Sequence, residues 1–204
     1  MKVNNDCLKS DSKVEINLAV IGDAGFGKSA LIGKLASLLD RPDYDPEEDE
    51  YVTIETPKYI CNLYEVHDLD GFDVTLTGAI FVLSCGHTDG VSDFHSLDNL
   101  KWVKAAKQHG IPQIIAALNK MDVINHSGDR YMEVVKDCSN GIRRDYHPLE
   151  VPFVPVDCTN GANLIDLSRD MHWYKGWHKR NQERSEWTGR TLLDAIDALD
   201  PILP

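Results

Sequence analysis

The sequence has no apolar run long enough to span a membrane and no short hydrophobic leader at its amino terminus, so a cytoplasmic protein is expected. It has five cysteines but no C-x-x-C pair, which leaves reduced thiols and excludes a disulfide framework. Basic charge is scarce. Lys and Arg number 21 against 33 Asp and Glu, a net charge of −12, so autonomous DNA or RNA binding is not expected. The eight histidines are scattered and indicate no metal cluster. Repeats and low-complexity tracts are absent. A chain of 204 residues suffices for one α/β domain with a proper core.

What the chain does carry is concentrated in two segments. Gly22-Asp23-Ala24-Gly25-Phe26-Gly27-Lys28-Ser29 matches the phosphate-binding P-loop pattern in full. It follows the β-branched run Val14 to Ile21 and precedes a helical pattern from Ala30 to Leu39, the context the motif requires. Glycines permit backbone angles closed to other residues, so several N–H groups can converge on one phosphate. The helix beginning near Lys28 adds its positive end. Lys28 is expected to neutralise the outer phosphates, and the Ser29 hydroxyl to bind Mg²⁺.

The second segment, Asn119-Lys120-Met121-Asp122, follows the apolar run Gln113 to Leu118, which reads as a buried parallel strand. Ligands of open α/β sheets bind at the carboxyl ends of such strands. A carboxylate only accepts, so Asp122 suits the two N–H donors on guanine's N1/N2 edge. Adenine lacks that amino group and would leave the carboxylate unpaired. Asn119 is placed to brace the loop, and the stem of Lys120 to lie over the base.

From Gln108 onward the chain resembles the G domain of translational GTPases, the elongation factor one-alpha and elongation factor Tu class. The likeness is carried by Gly110-Ile111-Pro112, Ala117 to Asp122, Arg130 to Lys136, Val151 to Val156, Asn160 to Asn163, Trp173-Tyr174-Lys175-Gly176-Trp177 and Thr191 to Asp197. Glu55 to Tyr59 and Thr77-Gly78-Ala79 are further echoes. The resemblance implies GTP and GDP binding with Mg²⁺, and a ribosome-dependent role delivering aminoacyl-tRNA, with an exchange factor as partner. It also implies two following β-barrel domains, for which this chain has no sequence. The fold it implies is a P-loop NTPase: a doubly wound, mostly parallel sheet with helices on both faces.

The departures from the family pattern fall in the switches, which sense the γ-phosphate. Val52-Thr53-Ile54 is the one remnant of switch I, with Thr53 either a Mg²⁺ contact or a plain strand threonine; the longer effector segment and one strand are expected to be missing. Asp68-Leu69-Asp70-Gly71 fits the switch II motif by spacing. Asp68 would hold Mg²⁺ through water, and the Gly71 N–H would meet the γ-phosphate. The family follows that glycine with a histidine that orients the attacking water; here Phe72 stands there and cannot do so. Residues 72–77 are too few for the usual switch II helix. The family's guanine-supporting serine is replaced by Asp157, leaving the backbone of Cys158 and Thr159 to touch the base.

Strands are expected near 14–21, 59–67, 79–85, 112–118 and 152–156, and helices near 28–39, 92–109, 128–146 and 191–199. Residues 1–12 read as a tail before a G domain over 13–204. Asp40 to Glu50, with seven acidic residues and two prolines, reads as a solvated loop. A basic stretch from Lys175 to Arg184 is the one local candidate for RNA contact. Three classes remain open: a working translational GTPase, a guanine-nucleotide module with little hydrolysis, and an ATP-using P-loop enzyme.

Overall fold

The computed structural model describes residues 13–41, 43–45, 48–86, 99–180 and 185–201. The expected tail over 1–12 lies outside them. In chain order the elements are β1 (Val14–Ile21), α1 (Lys28–Leu38), β2 (Val52–Glu55), β3 (Tyr59–Glu65), β4 (Gly78–Ser84) and α2 (Asn99–Gln108). They continue as β5 (Ile114–Asn119), α3 (Gly128–Ile142), β6 (Phe153–Pro155), β7 (Trp177–Arg180), β8 (Glu186–Gly189) and α4 (Leu192–Asp197).

Six strands form one sheet in the order β2-β3-β1-β4-β5-β6. All neighbours are parallel except β2, which runs antiparallel to β3 at the edge. The expected doubly wound, mostly parallel sheet is therefore present. Its central strands are near-continuous apolar runs because both faces are covered. Alternate residues of β1 sort to the two faces: Leu18 and Val20 pack with Leu31, Leu35 and Ile196, while Ala19 and Ile21 pack with Val103, Val134 and Cys138. Helices α1 and α4 thus cover one face and α2 and α3 the other. The chain passes from β1 to β3 on one side and reaches β4 on the other. The loop after β1 therefore opens at the switch point, where such sheets bind ligands.

Several boundaries shift for physical reasons. Pro112 has no N–H to give a ladder, and β5 starts at Ile114 and carries Asn119 as its last residue. Thr191 caps α4 and does not belong to it: it accepts from Asp194 N, and Asp194 returns the bond in a capping box. Helix α3 stops at Ile142, short of residue 146, and α2 is described from Asn99, residues 92–98 lying outside the described set.

The expected loss of a strand is corrected. Val52 to Glu55 pairs with Ile60 to Leu63, so the sheet has an antiparallel edge strand here. A second feature, the β7–β8 hairpin, had no counterpart in the expected elements; Trp177 faces Gly189 and Arg180 faces Glu186. Its inward face includes a lysine, which disguises the alternation. Lys179 is buried, its Nζ donating to Gln113 Oε1 (2.8 Å) and to the Ala198 carbonyl (2.9 Å). Burial pushes its ammonium below the usual lysine range.

Candidate nucleotide site

The P-loop emerges from the end of β1 against β4. Gly22 has φ 143°, and a Cβ there would run into the Val82 carbonyl. Gly27, at φ 97°, is the N-cap of α1, and a Cβ there would strike the Asn119 amide. Both glycines are thus required by contact as well as by angle. Lys28 is buried, with Nζ donating to the Gly22 carbonyl (3.0 Å) and the Asp23 carbonyl (3.4 Å). Its ammonium is folded back over the loop it would serve. Ala24, Gly25, Ser29 and Ala30 line the exposed side, and Phe26 packs on the core beneath. Asp23 faces away toward α2, accepting from Trp102 Nε1 (2.8 Å) and pairing with Lys101 Nζ (3.1 Å).

The base-recognition loops meet the P-loop through Asn119. Its Nδ2 donates to the Phe26 carbonyl (2.9 Å), and its Oδ1 accepts from Cys158 N (3.2 Å). One buried side chain therefore joins the phosphate loop, the loop after β5 and the loop after β6. Lys120 and Asp122 are half-buried beside it. Asp157 is buried, and its carboxylate accepts from Thr159 N (2.9 Å) and from Asn160 N (3.1 Å) and Nδ2 (2.7 Å). This fixes the turn that presents Cys158 and Thr159. Burial first, then the Asp157 and Asp122 carboxylates, push the Cys158 thiol up to about 12, so it sits inert within the loops.

The switch end is arranged differently from the spacing-based expectation. The Ser29 hydroxyl donates to Glu65 Oε1 (3.0 Å), and His67 Nε2 lies 3.8 Å from the same oxygen. Glu65 is the last residue of β3 and stands opposite Val20 of β1, level with the start of the P-loop. The structure thus brings Glu65, not Asp68, to the P-loop serine. Asp68 is exposed three residues on, its Oδ1 accepting from Asp70 N (3.0 Å). Gly71, at φ 81°, closes an exposed turn in which Phe72 N donates to the Leu69 carbonyl (3.2 Å). Thr53 sits in β2 with its hydroxyl donating to Asn62 Oδ1 (2.7 Å). Phe72 stacks edge-on against Tyr64 at 5.5 Å and faces His109 at 6.4 Å, while Tyr51 covers Tyr64 at 4.9 Å. Residues 66–77 contain no helix.

The chain is 33% identical to elongation factor 1-alpha of Blastobotrys adeninivorans, with 93% of the chain aligned, and 34% identical to that of Aureobasidium pullulans, also over 93%. The chain belongs to the elongation factor 1-alpha family. It spans about half the length of those relatives, 50% and 42% respectively. The first alignment extends over 241 positions, more than the 204 residues of this chain, because the elongation factor carries segments that are short here. No protein-family model matches the sequence. Among solved structures, Sup35 complexed with GDP superposes with a TM-score of 0.73 at 22% identity, covering 97% of this chain and 48% of that one. Sup35 complexed with GMPPNP gives 0.72 at 22% identity, covering 98% and 48%. The fold is that of a translational GTPase G domain, a P-loop NTPase. Among the described residues no helix is long and apolar enough to cross a membrane.

Two residues near the site were not found from the sequence. Glu65 was legible in principle, as the charged residue ending an apolar strand at the ligand edge. Trp102, which holds Asp23, acts across a long sequence separation and leaves no local signal, whereas Trp173 of the family-like aromatic segment supports the loop after β5.

Proposed function

We propose that this chain is a guanine-nucleotide-binding domain of the translation machinery, holding GDP or GTP with Mg²⁺ and turning GTP over slowly. The observation that carries the reading is the pair of hydrogen bonds that joins Asn119 to the Phe26 carbonyl and the Cys158 N–H, which ties phosphate and base loops into one pocket edge. Gly22 to Ala30 would wrap the phosphates, with Lys28 swinging its ammonium from carbonyls to phosphate oxygens. Asp122 would read the guanine edge, and the backbone of Cys158 and Thr159 would border the base. Ser29 and Glu65, whose oxygens meet at 3.0 Å, would hold Mg²⁺, with Asp68 close in sequence. The ion, when bound, draws charge from the β- and γ-phosphates.

Hydrolysis is where the chain departs from its family. Gly71 keeps an N–H for a γ-phosphate, but Phe72 offers no atom to orient water, and its ring is held by Tyr64 and His109. Ribosome, aminoacyl-tRNA and exchange-factor contacts follow from the family and rest on the elongation factor 1-alpha relatives. The reading is tested by thermal denaturation with GDP, GTP or ATP, each with Mg²⁺. A ligand bound only by the native state adds RT ln(1 + [L]/Kd). GDP and GTP raise the midpoint and ATP does not; equal shifts with ATP exclude guanine specificity. Asp122→Ala removes the guanine preference more than phosphate affinity.

A further inference from the structure

The loop that carries Asp122 is strained. Lys120, Asn125 and His126 all lie in the left-handed region, at φ 63°, 50° and 55°, and none is glycine. Such angles persist only where surrounding contacts enforce them. Two groups outside the loop supply those contacts. Trp173 Nε1 donates to the His126 carbonyl (2.8 Å), and its ring lies so close to Gly128 that a Cβ there would sit 3.0 Å from it. On the other side, His126 Nε2 lies 3.7 Å from Asp157 Oδ2. Asp157 in turn holds the backbone of Thr159 and Asn160. His126 is therefore pinned by its carbonyl to the aromatic segment and faces, through its ring, the anchor of the second base loop.

We propose that Trp173, His126 and Asp157 form a staple that fixes the distance between the two base-recognition loops, making them positioning residues for guanine discrimination. The inference rests on the guanine reading above. Its physical content is that Asp122 discriminates bases only while its carboxylate is held in register with the backbone of Cys158 and Thr159. Displacement of a recognition group by a fraction of an ångström erodes discrimination before it erodes binding, because the phosphates supply most of the affinity. The aromatic segment shared with the family thus takes a defined task beyond packing. In this chain Asp157, replacing the family's serine, is the acceptor through which the task reaches the second loop.

The experiment compares GDP with inosine diphosphate, which lacks the 2-amino group that Asp122 would bind. The ratio of their dissociation constants is measured by calorimetry for the unmodified chain, Trp173→Phe, His126→Asn and Tyr174→Phe. Trp173→Phe keeps the ring on Gly128 and deletes the donor. His126→Asn deletes the imidazole and suits a left-handed angle. Tyr174→Phe removes a hydroxyl bonded to the Phe153 carbonyl (2.8 Å) in the same segment, with no contact to His126. The ratio is expected to fall about three- to tenfold in the first two variants, the factor of one lost hydrogen bond, and to hold in the third. An unchanged ratio in Trp173→Phe and His126→Asn overturns the staple, as does an equal fall in Tyr174→Phe, which would mark general loosening. Should Trp173→Phe fail to fold, His126→Asn decides. If the unmodified chain does not prefer GDP to ADP, the guanine reading fails and the staple with it; if it does prefer GDP, only the staple is at issue.

Discussion

Glu65→Gln separates the two candidate switch carboxylates. The substitution keeps the side chain's length and leaves an oxygen for the Ser29 hydroxyl, now 3.0 Å away, but deletes the charge. The Glu65 side chain is 14% exposed, so solvent screens its charge little. Groups that orient or neutralise a metal's ligands typically change metal affinity 10- to 100-fold when altered, about 1.4–2.7 kcal/mol. The Mg²⁺ concentration that half-maximally slows GDP release should therefore rise about 10- to 100-fold in Glu65→Gln. Asp68→Asn should shift that midpoint by no more than about twofold, the size of an ordinary surface substitution. The assay is stopped-flow release of a fluorescent GDP across a Mg²⁺ titration. Release in excess EDTA should be nearly the same in all three proteins, since the charge matters through the ion. A large shift in Asp68→Asn with none in Glu65→Gln would refute the reasoning and return the metal to the Asp68-to-Gly71 motif.

Lys28→Ala should lower GDP affinity about 10- to 150-fold, the 1.5–3 kcal/mol of a charge-assisted bond, while circular dichroism shows a folded domain. An unfolded variant would mean that the two carbonyl bonds of Lys28, and not a ligand, are its purpose. Single-turnover GTP hydrolysis should be on the order of 10⁻⁴ s⁻¹ or slower, with ribosomes stimulating it poorly, and Phe72→His should change it less than about tenfold. Robust ribosome-stimulated turnover by the unmodified chain would show that another group, such as His67 beside Glu65, orients the water. Cys61, Cys85 and Cys158 are pushed by burial up to about 12, so they stay neutral in the fold while unfolded thiols ionise near 8.5. Their contribution is complete below that lower value and is lost as pH rises toward 12, so thermal midpoints should fall across that window.

The parts of this domain that were legible in the sequence are those encoded by neighbours in the chain. Val14 to Ile21, the glycine loop and the start of α1 lie within one continuous stretch, and strand, turn and helix each follow from local chemistry. Asn119 to Asp122 is likewise local, and its place at the sheet's ligand edge follows from β5 being parallel. Glu65 was passed over because spacing to a glycine favoured Asp68, whereas position is set by register. Glu65 is level with Val20 on β1, and the strand ends there. The β7–β8 hairpin was missed because the inward lysine breaks the apolar alternation, its charge accommodated by acceptors 66 and 19 residues away. The edge strand β2 was underestimated because four residues carry little periodicity. It is recognised only by its pairing with β3.

These placements explain how a G domain can lose most of its switches without losing its frame. The two ends of the nucleotide site are supported by different sets of contacts. At the base end, Trp173 reaches the loop after β5 and Asn119 joins that loop to Cys158, while Tyr131 and Tyr174 donate to the Phe153 carbonyl and fasten α3 and the aromatic segment to β6. Nothing in that set belongs to residues 48–77. At the switch end, the shortened chain is sealed locally by Tyr51, Tyr64, Phe72 and His109, and by β2 pairing with β3. Lys28 and Asn119 lie between, bonded within the P-loop and across to the base loops. On the proposed reading, shortened switches would impair γ-phosphate sensing while leaving the contacts of the phosphate and base loops in place. An aromatic seal is also the opposite of what a switch requires, since a switch segment must order and release with a ligand worth a few kcal/mol. A ring already held by Tyr64 and His109 has little left to gain from a γ-phosphate. On that argument GDP and GTP should bind with closely similar affinity, and calorimetric dissociation constants that differ by more than about tenfold would refute it.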